Sequence, residues 1–372
     1  MTALRFDFEG RAVTAREGQS IGAALLAAGV RTLSWSAKYR RPRGLRCCRG
    51  ACPCCQVRVD GIPGVTACMT PIRGGERVER ERPAARALPA DRLGRFTPAG
   101  FYYGAWLGRP SVWPRAERVL ATLAGVSRPP AAVDGMVGSY EERVVDLLVV
   151  GGGERGLLAA TATAAAGRRV LLCERDSVPG GRLLDLPGGA ARAAQLLADA
   201  TAAGVEVRVS TIVLGASPDS DGAWAVSDAR GLTVVETATV ELATGTLDRE
   251  ISLPDGDRPG VLLAGAARRL IIREGVVPGR RVVVVATGEA DGMLEPLLRD
   301  AGIVTAASCA PCDIVAIEGR DHVRAVKVAG RRVACDLVVI DAGTRPEDGL
   351  ERQASVLAHP RGSAAPGDDS RG

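Results

Sequence analysis

The chain has 372 residues and a formal net charge of +5, from 48 Lys and Arg against 43 Asp and Glu. That length suits two or three domains with buried cores, and so mild a charge gives no case for a nucleic-acid or membrane-surface binder. No apolar run reaches the roughly 18–20 residues of a membrane helix, and the N-terminus MTALRFDFEG lacks the apolar stretch of a signal peptide. A cytoplasmic protein with no transmembrane segment is expected, whose cysteines serve metal or redox chemistry rather than disulfides.

Residues 4–14 alternate apolar and polar around Gly10 and predict a β-hairpin. Ser20 to Gly29 has helical spacing, with a Ser start and a Gly stop. A basic loop follows, holding Lys38, Arg40, Arg41, Arg43, Arg46 and Arg49. It lies against a cysteine loop, so it is expected to tune a bound centre by charge or to dock a partner. A solvated basic loop is the plainer alternative.

Cys47, Cys52, Cys55 and Cys68 are spaced C-x4-C-x2-C-x12-C. The first three match the loop that wraps a plant-type 2Fe–2S cluster, with the fourth thiolate arriving from a nearby strand. Thiolates suit soft iron. A zinc site usually pairs two C-x2-C knuckles, and only one such pair is suitably placed; zinc and free thiols are the weaker alternatives. Cys48 and Cys54 lie in the same loop and read as non-ligands. The register with Cys48 for Cys47, or Cys54 for Cys55, stays open. QVRVDG and VTACMT predict short strands around a turn at Gly61-Ile62-Pro63-Gly64. Together these elements predict a β-grasp ferredoxin-like domain over residues 1–85, and hence one-electron chemistry.

Residues 86–142 form a Pro- and Arg-rich connector. Its GFYYGAWLGRPSVW stretch holds five of the twelve aromatics (4 Phe, 4 Trp, 4 Tyr), so part of it is expected to pack against a domain. From Val144 the character changes. VVDLLVV reads as a strand buried on both faces, followed by a glycine loop, an Ala-rich helix and the strand VLLCE, which is a βαβ unit. The loop carries Gly151-x-Gly153-x-x-Gly156 in the context a dinucleotide fingerprint requires. Gly151 permits the tight turn, Gly153 lets backbone approach a pyrophosphate, and Gly156 allows close helix–strand packing. Glu174, 18 residues past Gly156, is placed to accept from a ribose hydroxyl. Glu154 would set a carboxylate beside the phosphates unless it points outward.

A second unit begins at RRVVVVATG and ends with the strand CDLVVID, at about residues 280–341. Its loop, Ala286-Thr287-Gly288-Glu289-Ala290-Asp291, keeps one glycine and adds two acids, so a weak or lost nucleotide site is expected there. Cys309-Ala310-Pro311-Cys312 is read as incidental loop thiols, with a redox dithiol beside a flavin as the sharper alternative. The two histidines, His322 and His359, join no nucleophile–acid constellation, and no catalytic residue is assigned. A binding domain is thus read over 143–355, and a disordered tail over 356–372.

With these residues in place, the chain resembles the α-subunit family of bacterial heterotetrameric sarcosine oxidases. It resembles too their relatives among opine oxidases, dye-linked proline or hydroxyproline dehydrogenases and hydrogen cyanide synthase. The likeness spans roughly residues 4–350 and is carried by SAKYRRPRGLRC, CPCCQVRVDGIPGVTACMTP, GFYY, DLLVVGGGERGLLAA, GGRLL, LATGTLDRE, RPGVLLAGAARR and CDLVVIDAG. It implies a mixed α/β plus α+β chain: an N-terminal 2Fe–2S ferredoxin-like domain, then a two-Rossmann FAD/NAD(P)-binding domain of the flavin-disulfide-reductase type.

The resemblance implies Cys47, Cys52, Cys55 and Cys68 as cluster ligands. It implies a first nucleotide site of Gly151, Gly153, Gly156, Glu174, Arg182, Thr244 and Gly245, taking FAD in many members and NAD in some. The cluster cysteines set the chain closer to the dehydrogenase and cyanide-synthase branches, with the folate-binding and C-terminal cysteine-rich modules of other members expected to be missing. Glu154-Arg155 replaces the usual Pro-Ala. The function implied is that of an electron-transferring oxidoreductase subunit, relaying electrons between flavin and cluster in a hetero-oligomer. A flavin-bearing amine or amino-acid oxidase-type β-subunit would oxidise the substrate. The alternatives are a self-sufficient NAD(P)H-dependent reductase using Cys309 and Cys312, or a scaffold with decayed sites.

Overall fold

A computed structural model describes residues 3–36, 41–81, 138–216, 222–290 and 292–358. The aromatic connector segment, Lys38, Arg40, Asp291 and the C-terminal tail from 359 lie outside the described residues. The chain divides into two units: Met1–Val133 with Asp248–Gly343, and Asp134–Leu247 with Thr344–Gly372.

The first unit opens with the expected hairpin, β1 (Ala3–Phe8) and β2 (Arg11–Arg16). Helix α1 (Ile21–Ala27) starts where the Ser20 hydroxyl accepts from the Ala23 amide at 3.2 Å, an N-cap legible in the sequence. Gly22 lets α1 lie close on the cysteine-bearing segment: a Cβ there would sit 2.7 Å from Leu45 Cδ2 and 3.2 Å from the Ala67 carbonyl carbon. After β3 (Ser34–Trp35) and β4 (Pro42–Arg43) come β5 (Gln56–Val59), β6 (Ile62–Thr66) and β7 (Arg77–Arg80). The sheet order is β2-β1-β7-β5-β6.

One turn differs from expectation. The reversal is at Asp60-Gly61, both with positive φ (49° and 83°), while Ile62–Thr66 is strand. Asp-Gly is the better hairpin signal, and Pro63 is tolerated because β6 is an edge strand.

The second unit holds β8 (Ser139–Val144) and β9 (Leu147–Val150), helix α2 (Glu154–Ala165) and β10 (Val170–Cys173). Helix α3 (Gly189–Ala202), β11 (Glu206–Arg208), β12 (Ile212–Ala216), β13 (Ala223–Asp228), β14 (Gly231–Glu236) and β15 (Val240–Leu242) complete its core. Strands β11-β10-β9-β15 form a parallel sheet, and β12-β13-β14-β8 form a second sheet. The run VVDLLVV is therefore not one strand. Asp146 breaks it by accepting the Arg169 amide at 2.7 Å, and only Leu147–Val150 is buried throughout.

Strand β16 (Thr246–Asp248) leads back to the first unit. There β17 (Val261–Leu263), α4 (Ala264–Arg268), β18 (Arg281–Ala286), α5 (Leu294–Asp300) and β19 (Val304–Cys309) follow in order. The hairpin strands β20 (Ile314–Glu318), β21 (Ala325–Val328) and β22 (Arg331–Ala334) precede β23 (Leu337–Asp341). The parallel order is β17-β23-β18-β19. Strand β24 (Thr344–Pro346) pairs with β16, and α6 (Gly349–Ala358), an element the sequence reading lacked, closes the described chain.

In space, the second Rossmann-type sheet groups with the cysteine domain, although the sequence places it beside the first. The reason is a continuous apolar core: Ile21, Leu25, Leu45 and Ala67 share one cluster with Ala266, Leu270, Val282 and Leu337. At this seam a crevice bounded by Leu26, Val30, Leu45, Leu262 and Leu337 measures only about 10 Å³.

Candidate functional site

The cysteine loop turns sharply because Cys48 (φ 49°) and Gly50 (φ 69°) are both left-handed. That reversal brings Cys52 back onto Cys47. The thiols then touch in a chain: Cys52 with Cys47, Cys47 with Cys68, and Cys68 with Cys55. Cys47, Cys55 and Cys68 are buried, and Cys52 is half-buried. The Arg49 amide donates to Cys47 Sγ at 3.5 Å. Hydrogen bonds from Cys52 and then Cys68 hold the Cys47 thiol far below its ordinary value, to about 2, while Cys52 is pushed up by that shared contact.

No group of three or more His, Cys, Asp or Glu among the described residues is arranged for a single metal ion. Two adjoining thiol pairs instead suit a centre of two metals, each taking one pair.

The extra thiols separate by environment. Cys48 makes none of these thiol–thiol hydrogen bonds; it is buried in the apolar core with Ile21 and Leu25, and burial pushes its thiol well up. Cys54 touches Cys52 at the end of the chain and is lowered to about 7 by that contact; burial opposes the fall, and Arg43 and Arg46 add to it.

The basic loop finds acids within its own unit. Arg41 and Arg43 reach Asp257 at 3.1 and 2.5 Å. Arg46 forks onto Glu250 and donates to the Gly256 carbonyl. The Leu263 amide donates to the Arg46 carbonyl at 3.0 Å, tying β17 to the cysteine loop.

In the second unit, the glycine loop is built for close backbone approach. Gly151 has φ 107°, and a Cβ there would lie 2.4 Å from the Ala243 carbonyl oxygen. A Cβ on Gly156 would lie 2.0 Å from the Gly151 oxygen. Gly153, the residue before α2, faces open space, so its amide end of the helix is reachable by an anion. The Gly180 amide donates to the Gly152 oxygen at 2.7 Å, and a Cβ on Gly181 would lie 3.1 Å from Gly153 Cα. These two glycines complete the cradle. Their signal was the Gly-Gly pair preceding Arg182.

Glu174 accepts the Gly152 amide at 2.6 Å and the Asp176 amide at 2.8 Å, and burial pushes its carboxyl up. Each oxygen keeps a lone pair for a further donor. Glu154 points outward to Arg192 at 3.3 Å, so it does not crowd the cradle. The Thr244 hydroxyl donates to the Glu347 carbonyl at 2.6 Å, Gly245 has φ 78°, and Arg182 donates to the Thr246 carbonyl at 3.4 Å. An open cavity of about 400 Å³, lined by Arg208, Val209, Ser210 and Thr211, adjoins Glu174 through two backbone hydrogen bonds. Sequence reasoning missed it, because its walls come from β11 and the turn after β13.

The loop after β18 is different. Thr287 donates its amide to the Asp341 carbonyl, and Glu289 pairs with Arg249 at 2.9 Å. A carboxylate thus stands at the loop that would cradle phosphates. Cys309 is half-buried against the Val284 carbonyl, and burial raises its thiol, with Asp313 adding to the rise. That environment disfavours an activated dithiol.

The thiol loop and the glycine cradle define a chain of the iron–sulfur oxidoreductase class with a dinucleotide-binding fold. Residues 1–83 match the family described as 2Fe-2S iron-sulfur cluster binding domain. Sarcosine oxidase subunit alpha of Rhizobium meliloti is 32% identical over 88% of this chain and 36% of its own length, so the chain spans about a third of that relative. Hydrogen cyanide synthase subunit HcnA of Pseudomonas aeruginosa is 39% identical over 21% of this chain and 74% of its own length. The crystal structure of L-proline dehydrogenase from P. horikoshii superimposes with a TM-score of 0.70 at 22% identity, covering 95% of this chain and 62% of that one. The chain belongs to the family of sarcosine oxidase alpha subunits and their 2Fe–2S relatives, a family of oxidoreductase subunits.

Proposed function

We propose that this chain is an electron-transferring subunit of a flavin-dependent oxidase or dehydrogenase of the sarcosine, opine or proline type. The observation that carries the reading is the chain of thiols Cys52–Cys47–Cys68–Cys55, inside a domain that matches a cluster-binding family. Those four residues would hold the 2Fe–2S cluster. Gly151, Gly153 and Gly156 would bring backbone amides to a pyrophosphate, Glu174 would accept from a ribose, and Arg182, Thr244 and Gly245 would line the remainder. The cavity beside Glu174 is of a size to take the adenosine end. When bound, FAD exchanges two electrons at a time and the cluster one, which is the chemistry a relay needs. NAD at the same cradle is the variant that the glycine loop alone does not separate.

Substrate oxidation falls to a flavin-containing β-subunit in a hetero-oligomer, a reading supported by relatives that are themselves named as subunits. A cytoplasmic setting follows from the cysteine usage, and no helix among the described residues is long and apolar enough to cross a membrane. A self-sufficient NAD(P)H reductase is disfavoured by Glu289 in the second loop and by the raised Cys309 thiol.

Anaerobic purification followed by an absorbance spectrum and by iron, sulfide and nucleotide analysis tests the reading. Two irons, two sulfides and one flavin nucleotide per chain are expected. Zinc without iron would sink it, and rapid bleaching of the flavin by NADH would favour the reductase.

A further inference from the structure

Arg46 stands immediately before Cys47, and its side chain is only 12% exposed. Its Nε donates to Glu250 at 3.0 and 3.1 Å, its Nη2 to the same carboxylate at 2.5 Å, and its Nη1 to the Gly256 carbonyl. A fork held at three points loses the freedom a surface arginine has, so its charge is fixed in place. Being the residue before Cys47, Arg46 keeps that charge at the cysteine loop, and together with Arg43 it lowers the Cys54 thiol beside Cys52. Glu250 belongs to the segment following β16, about 200 residues away in sequence, and half of its side chain faces solvent.

We infer that Arg46 is a positioning residue of the cluster site: pinned by Glu250 and the Gly256 carbonyl, it sets the reduction potential of the 2Fe–2S centre. The inference rests on the proposed cluster reading. Adding one electron to an oxidised cluster with four thiolates makes the centre more negative by one charge, with no bond formed or broken. A fixed cation beside the sulfurs favours that reduced state, and a carboxylate behind the cation opposes it. Arg46 therefore raises the potential, and Glu250 partly offsets the rise. The acidic segment thus reaches the cluster's chemistry through one guanidinium.

The test is a dithionite titration of the full chain, purified with its cluster and monitored by electron paramagnetic resonance. Arg46→Gln is expected to shift the reduction equilibrium roughly tenfold against the reduced form, which for one electron is about 59 mV downward. Glu250→Gln is expected to move it the other way by a few-fold, less because that side chain is half in water. Arg46→Lys keeps the charge and should fall between Arg46→Gln and the unsubstituted chain. Shifts of the same sign in Arg46→Gln and Glu250→Gln, or no shift in either, overturn the inference. If Arg46→Gln fails to hold iron, the sign of the Glu250→Gln shift decides alone. An unsubstituted chain that binds no iron defeats the cluster reading itself, whereas an iron-loaded chain with unmoved potentials defeats only the role of Arg46.

Discussion

The loop that follows β9 and the loop that follows β18 leave equivalent edges of two parallel sheets. In the first, Gly151 and Gly156 press backbone against backbone, and Gly153 opens the end of a 12-residue helix to solvent. In the second, the helix has seven residues and the loop is closed by Glu289 pairing with Arg249. Gly288 retains open space around it, but a glycine alone builds no anion site. The difference teaches that a Rossmann-type sheet supplies a place for a nucleotide, while close glycine packing and where the nearby carboxylates point are what would make that place bind one.

The largest effect expected from this comparison is at Gly151. Gly151→Val forces a β-branched residue into φ 107° against the Ala243 carbonyl, and should cost roughly 3 kcal/mol of stability together with nucleotide binding. Gly288→Val should stay within about 0.5 kcal/mol and leave nucleotide content unchanged. Chemical denaturation with nucleotide analysis compares them, and equal losses would erase the distinction between the loops.

A finer probe is Gly153→Ala. Its Cβ meets nothing in the protein, so stability without nucleotide should change by no more than about 0.5 kcal/mol, while affinity falls at least about tenfold. Calorimetric titration with FAD measures this, and unchanged affinity would remove Gly153 from the cradle.

Acidification separates the sites by sign. Burial raises Glu174, so its charge costs the folded chain stability above that raised value, and the cost disappears as pH falls through it. Asp146 is lowered, first by the Arg169 amide, so its contribution is present above the ordinary carboxylate range and is lost as pH falls through the depressed value. On lowering pH from neutrality toward the ordinary carboxylate range, the nucleotide-free chain should therefore gain stability relative to Glu174→Gln. Melting curves across that range check it; parallel curves for the two proteins would show that Glu174 is not titrating there.

The smallest effect belongs to the second loop. Glu289→Gln breaks an ion pair in which both side chains are about half exposed, and should change stability by less than about 1 kcal/mol. A larger loss in denaturant melts would mean that the pair organises the loop rather than occupying it.

Much of this was readable locally. Ser20 as a helix cap, the hairpin around Gly10, the cysteine spacing and the first glycine loop all depend on residues within one or two turns of each other. What failed was also local but ambiguous. Gly-Ile-Pro-Gly looked like the turn when Asp60-Gly61 made it, and VVDLLVV looked like one strand until Asp146 bonded to Arg169. Helix α6 escaped because Leu350 and Ala354 become a core face only against Val213 and Trp224. The cavity beside Glu174 escaped for the same reason, since β11 and a distant turn form it together.

Sequence alone determined the chemistry types: four thiols at cluster spacing, a glycine cradle with its acid, and a second loop carrying acids where phosphates would lie. Short-range geometry dictates each, because a tight loop or a cap needs particular residues at particular offsets. Tertiary structure alone decided that the second Rossmann-type sheet shares a core with the cysteine domain, and that the basic loop answers acids about 200 residues away. Those outcomes come from burial and charge pairing between segments remote along the chain, which no local pattern encodes.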